Sequence, residues 1–270
     1  MAEVLYSYYS ILGWFSYVWI FLMGLILGSF LNSWIWRRRE NIRIITANRS
    51  VCFHCHHQLS WYDNIPLVSY IFLRGRCRSC FKHIPWRYPL VEFVTGALFV
   101  FVAWYHVCVT PSFVFYLWAR DVVFVTLLLV IFVYDYLYQE VITDLVWFGV
   151  IAGFLINYYL LGFSVDNMVI GATIAGGFFG IQYLVSRGRW IGGGDVRLGV
   201  LMGIWLGWSG VVVAMSIAYL TGALCSVWLL ATAKAKAKSA IPFGTFLAIG
   251  TFIAMYFGKN IIHWYLQFLK

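Results

Sequence analysis

The chain has 270 residues, of which 63% are hydrophobic and only 11% charged, too little polar surface to coat a soluble domain of that size. Several apolar stretches reach the roughly 17 to 25 residues that cross about 30 Å of hydrocarbon as helix, which excludes both a soluble globule and a single anchor. The net charge of +9 is carried in short connections between those stretches, where Lys and Arg act as topology signals and lipid contacts, so nucleic acid is not an expected partner.

The first apolar stretch, Ile11 to Ile35, ends in Arg37, Arg38 and Arg39 rather than in small residues suited to signal cleavage, and reads as a retained first helix. A polar interval from Trp36 to Tyr88 follows. Apolar segments then centre on 90–108, 113–134, 145–163, 167–185, 198–208, 210–231 and 241–258. The expected fold is an all-α polytopic membrane protein of about eight transmembrane helices, with a small cytoplasmic zinc-binding loop domain between the first and second. Its expected domains are residues 1–35, 36–88 and 89–270. The segment 198–208 is short for a full span.

If the spans alternate with the N-terminus outside, the basic connections Arg37 to Arg87, Arg187 to Arg197 and Lys234 to Lys238 share one side, which the positive-inside rule makes cytoplasmic. Lys259 and Lys270 fall on the other side in this scheme. Glycines cluster at Gly171, Gly176, Gly177 and Gly180, where small residues let membrane helices approach closely.

Within the polar interval, Cys52-Phe-His-Cys55 and Cys77-Arg-Ser-Cys80 form two C-x-x-C pairs at the spacing with which two knuckles close one tetrahedral zinc site. Disulfides would need an oxidising compartment, and the topology puts this loop in the reducing cytoplasm. Four cysteines complete the site, so zinc is expected to be structural, with His54, His56 and His57 left to solvent. Cys108 and Cys225 lie in apolar spans and are expected to pack as small hydrophobes.

Only ten acidic residues are present, and a carboxylate at hydrocarbon is costly enough to need a reason. Asp135 ends the apolar run from Val122 to Tyr134, and Asp195 follows Gly192, Gly193 and Gly194. Two neighbouring carboxylates cannot both ionise cheaply; one keeps a proton to donate while the other accepts one from water, the arrangement of a peptide-hydrolysing dyad. The glycines would leave room for an extended peptide beside Asp195. Asp144 is expected at the start of a helix, Asp121 in an ion pair with Arg120, and Glu92 in a structural pair with Arg87 or a loop base.

Together these residues resemble the type IV prepilin peptidases along most of the chain. The resemblance is carried by Gly28-Ser29-Phe30-Leu31-Asn32, Arg49-Ser50, Asp63-Asn64-Ile65-Pro66, Arg87-Tyr88-Pro89 with Glu92, Gly192 to Leu198, and Ile241-Pro242-Phe243-Gly244 with Phe246-Leu247. It implies that Asp135 and Asp195 are catalytic, that prepilin or pseudopilin precursors are cut after a glycine, and that the protein lies in the bacterial cytoplasmic (inner) membrane. It also implies N-methylation of the new terminus with S-adenosylmethionine, for which the chain has no glycine-rich fingerprint. Val141-Ile142-Thr143-Asp144 lacks the family's proline and leaves the role of Asp144 open. The rival readings are another Gly-x-Gly-Asp intramembrane protease, a proton-coupled transporter, and a membrane scaffold with a partner-binding zinc loop.

Overall fold

The computed structural model describes residues 2–42, 50–109, 115–232 and 242–268. Arg49, the basic run Lys234 to Lys238, Ile241 and Lys270 lie outside them. The chain forms two compact units, Met1–Val122 and Val123–Lys270.

The first unit contains α1 (Ala2–Arg39), a 3-10 turn at Trp61–Asn64, the short α2 (Val68–Phe72), and α3 (Arg87–Trp104), which runs on into a π turn at Tyr105–Val109. Helices α1 and α3 pack antiparallel and almost backbone to backbone. A Cβ on Gly28 would lie 2.8 Å from the Glu92 Cα, and the Asn32 amide donates to the Tyr88 carbonyl at 2.9 Å. Lipid tails are as apolar as Leu, so close van der Waals approach and buried hydrogen bonds hold such helices together. At the far end Arg120 donates to Asp121 at 2.6 Å, as expected of that pair, and His106 joins it with Nε2 2.8 Å from Asp121 Oδ2. Cys108 is exposed on the π turn and Cys225 half-buried, so neither is the packed core residue expected.

The second unit takes the rest of α4 (Phe115–Tyr138), then α5 (Thr143–Tyr159), α6 (Val165–Ser186), α7 (Gly193–Ala231) and α8 (Phe243–Phe268). Its core includes Phe124 stacked on Trp205 at 4.0 Å, with Phe179, Leu201, Met202, Val211 and Leu247 fully enclosed.

Helix α7 is continuous by hydrogen bonding but has non-helical angles at Gly207, φ 70° and ψ −179°. Its two arms run back to back. Along the first arm Val196 and Val200 meet Gly180 and Gly176 of α6. On the second, Tyr219 returns to the same level, bonding Gln182 at 3.0 Å and packing on Phe243 at 5.1 Å. A straight helix would leave Leu198 and Tyr219 about 30 Å apart, yet Leu198 and Tyr219 both lie beside the start of α8. Among the described residues, counting the arms separately and adding α5, 17 residues long, to the six long apolar helices gives eight membrane segments, as the hydropathy pattern predicts.

Such a reversal among apolar helices exposes backbone groups that no water can satisfy. Two asparagines supply the partners. Asn157, fully buried on α5, donates to the Ile204 carbonyl at 2.8 Å, and the Asn167 amide oxygen accepts from the Trp208 N–H at 3.1 Å.

Candidate active site and metal centre

Both candidate aspartates belong to the second unit and both meet a helix N-terminus. Asp135 lies in the last turn of α4, where its Oδ2 accepts from the Thr245 amide at 2.8 Å and also draws on the Gly244 amide. These are first-turn groups of α8, whose unpaired N–H donors carry the positive end of the helix dipole. Asp195 is the third residue of α7 and reaches back to accept from the Gly192 N–H at 3.2 Å, half of a capping box.

Leu198, one turn after Asp195, and Asp135 are both within reach of a Cβ placed on Gly244, at 3.3 Å and 2.8 Å. The Asp135 charge acts on Asp195. The two carboxylates, each at least nine-tenths buried, therefore form one electrostatic site.

The triple glycine is divided between roles. Gly192 caps α7, while Gly193 and Gly194 are already helical. A Cβ on Gly192 or Gly193 would meet nothing closer than 3.7 Å, so that side of Asp195 is unobstructed. Gly194 instead faces Val141, whose Cβ would lie 2.7 Å from an added methyl. The link before α5 is tied down again by Arg197, which donates to the Thr143 hydroxyl at 2.7 Å. Asp144 sits in the first turn of α5, where an acidic residue complements the dipole.

Sequence reasoning missed Gly244 and Thr245 as neighbours of Asp135, although Phe243-Gly244 had stood out as a motif. It also missed Tyr219, whose ring joins Phe178, Phe179 and Phe243 in an aromatic wall and whose hydroxyl feels the Asp195 charge.

In the first unit the cysteine pairs fold as two copies of one turn, 25 residues apart. Cys52 N–H donates to the His57 carbonyl and Cys77 N–H to the Lys82 carbonyl, both at 2.9 Å. Each copy closes with a bridge, Val51 to Gln58 and Arg76 to His83, after a left-handed residue, His56 or Phe81. The four Sγ atoms lie within 4.8 Å of one another, with Cys52 and Cys80 3.9 Å apart. A tetrahedron with metal–sulfur bonds of about 2.3 Å has edges of roughly 3.8 Å, so the set fits a divalent ion such as zinc. Burial pushes the Cys52 thiol up to about 11, while at Cys77 burial is outweighed by amide donors from Cys80 and Ser79 and the thiol falls to about 7. A cation at the centre would favour the thiolate at all four. His54, His56 and His57 are exposed.

Among the described residues Glu92 accepts from the Leu67 N–H at 2.9 Å and from Ser29, and the loop bases Arg43 and Arg49 lie outside them. Leu67 follows Pro66 with φ 59° and ψ −46°, the angles of a γ-turn closed by the Val68 N–H on the Pro66 carbonyl at 2.6 Å, and the Glu92 bond fastens that turn.

Residues 22–106 match the model of the bacterial peptidase A24 N-terminal domain, and residues 122–227 match that of the type IV leader peptidase family. A prepilin leader peptidase/N-methyltransferase of Aeromonas salmonicida (strain A449) is 30% identical over 289 residues, covering 95% of this chain and 96% of the relative. Proteins of the same name from Legionella pneumophila, 32% identical over 94% of this chain and 96% of theirs, and Pseudomonas aeruginosa, 32% over 92% of both, are similar along nearly their whole lengths. The chain belongs to the type IV leader peptidase family. No solved structure gives a significant match. The two family models divide the chain as its compact units do, the leader peptidase model covering both aspartates and the N-terminal model all four clustered cysteines.

Proposed function

We propose that this chain is a membrane aspartic endopeptidase that removes the basic leader from type IV prepilins and pseudopilins at the cytoplasmic face of the bacterial inner membrane, and then N-methylates the new terminus. The observation that carries the peptidase reading is the pairing of Asp135 with Asp195, each supported by amides at a helix start. Burial disfavours two charges in one site, whereas the starts of α7 and α8 favour one, so the pair holds a single proton between its two carboxylates. The ionised member takes a proton from water, which attacks the scissile carbonyl, and the protonated member delivers its proton to the departing amine. The unobstructed side of Gly192 and Gly193 leaves room for the peptide.

The cytoplasmic placing rests on the positive-inside argument, with Asp135, the 187–197 connection and the start of α8 at one end of the second unit. Zinc is the proposed ion of the four-cysteine site; it folds the loop and takes no part in hydrolysis, because a complete thiolate set leaves no coordination position for water. The relatives' name supports methyl transfer.

Purified Asp135→Asn and Asp195→Asn enzymes are expected to insert, bind precursor and lose leader cleavage, read by mass spectrometry of the product N-terminus. Asparagine keeps the hydrogen-bond acceptor of each helix cap and removes only the titrating group. Because a dyad acts as a unit, the double variant should be scarcely worse than either single one. Near wild-type cleavage by either folded variant would overturn the assignment.

A further inference from the structure

One stretch of the polar interval is not polar. Residues 65–73 read Ile-Pro-Leu-Val-Ser-Tyr-Ile-Phe-Leu, without a charge, and include the whole of α2. Their packing against α1 and α3 gives their depth. The Glu92 carboxylate holds the Leu67 N–H at 2.9 Å, and Glu92 lies level with Gly28 of α1, whose added Cβ would sit 2.8 Å from the Glu92 Cα. Arg87, where α3 begins, is one and a half turns away from Glu92, about 7 Å along the axis, and Arg37 in the last turn of α1 is about 13 Å beyond Gly28. Arginines mark where membrane helices reach the headgroups. Leu67 is therefore held on the hydrocarbon side of both, at about the 5 to 10 Å depth to which interfacial segments sink.

Irregular backbone can leave water only if its polar groups find partners within the protein. Here they do. The Val68 N–H donates to the Pro66 carbonyl at 2.6 Å, the Ser69 N–H and hydroxyl to the Ile65 carbonyl at 3.1 and 2.9 Å, the Ile71 N–H to the Leu67 carbonyl at 3.0 Å, and the Leu73 N–H to the Ser69 carbonyl at 2.9 Å. Pro66 has no donor to lose.

The side chains divide by face. Ser69, Tyr70 and Leu73 line a cavity of about 150 Å³ inside the unit. Val68, Ile71 and Phe72, spaced as neighbours on one side of a helix, turn outward, the last two 71% and 83% exposed. Exposed Trp61 and Trp86 bracket the stretch in sequence, and exposed Arg74 and Arg76 follow it. Indoles, and arginines on apolar stems, are the side chains that settle among headgroups.

We propose that residues 65–73 form an interfacial membrane anchor. Helix α2 lies in the leaflet that Arg37 and Arg87 face, with Val68, Ile71 and Phe72 among the acyl chains and Arg74 and Arg76 at the lipid phosphates. The surface's partner is the bilayer itself, and the contact holds the four-cysteine loop down on the membrane. The inference needs only that α1 and α3 span the membrane, and it is independent of the peptidase reading.

Site-directed spin labelling of zinc-loaded full-length protein in lipid vesicles tests the anchor. Cys108 and Cys225 are first changed to Ser, and the metal shields the other four thiols. A label at Phe72→Cys should relax faster with oxygen, which concentrates among acyl chains, than with a water-soluble nickel chelate. A label at Lys82→Cys, exposed on the second knuckle, should do the reverse, with oxygen-to-nickel ratios that differ severalfold. Ile71→Cys reads the same face if Phe72→Cys fails to retain zinc. Independently, vesicles carrying a photoactivatable acyl chain should label the tryptic peptide that ends at Arg74. Replacing both Ile71 and Phe72 by Ser should cut that label severalfold, with zinc content and labelling of α1 unchanged. Labels at 71 and 72 as open to nickel as the one at 82 would place the face in water and overturn the anchor. Labels shielded from both reagents would show that protein, a precursor or a second copy, covers the face, and would overturn it equally.

Discussion

Gly244 has no side chain because Asp135 occupies the space where one would be: a Cβ there would lie 2.8 Å from the carboxylate oxygen and 3.0 Å from its carbon. Gly244→Ala should therefore push Asp135 off the amides of α8 and lower leader cleavage by orders of magnitude, with zinc content unchanged by metal analysis. Thr245→Ala should retain most activity, since Thr245 reaches Asp135 through its backbone N–H. Asp144→Asn should also retain activity and cost about 1 kcal/mol or less in thermal unfolding, the value of a charge near a helix start. Asp135 and Asp195 could be picked out by reading because acids are scarce in this chain and dear in hydrocarbon. Their supports could not, because an amide donor leaves no mark on residue identity and nothing in Gly244 announces what it faces.

Among the elements, the knuckles were the most legible, since C-x-x-C twice at the right interval leaves few other ways to place four thiols. What the pattern did not reveal is that the two turns repeat each other bond for bond, with left-handed residues at His56 and Phe81. Replacing Cys52 or Cys77 by Ser should abolish zinc retention, whereas Cys108→Ser and Cys225→Ser should leave about one ion per chain by elemental analysis. Helix α7 shows the reverse case. The shortness of 198–208 was visible, but a turn-back at Gly207 could not be told from the nearby Gly203 and Gly210 without knowing which helix lies across from each. Gly207→Ala would force φ 70° on a residue with a Cβ 2.6 Å from the Asn167 oxygen. It should destabilise by about 1 to 3 kcal/mol, measured by thermal unfolding in detergent.

At the scale of the whole molecule, the paired aspartates and the four-cysteine site belong to different units, so leader cleavage and metal binding should be separable. Under the proposed mechanism, stripping zinc with a chelator from protein already inserted should leave leader cleavage in place; elemental analysis and a cleavage assay of one preparation read both. Loss of cleavage in step with loss of zinc would tie the dyad to the metal.

The turn at Gly207 also has a consequence for the lipid. The first arm of α7, Gly193 to Leu206, is about 21 Å long and its neighbour α5 about 26 Å, and the two lie side by side, with the Trp205 indole donating to the Gly149 carbonyl at 2.8 Å. Both fall short of a hydrocarbon layer of about 30 Å. With the carboxylates at the cytoplasmic interface, as proposed, the deficit falls in the opposite leaflet, which would dip over Gly207. Such hydrophobic mismatch costs fractions of a kcal/mol per Å, so bilayers of shorter acyl chains should favour the native packing around the aspartates, and leader cleavage in reconstituted vesicles should decline as the chains lengthen.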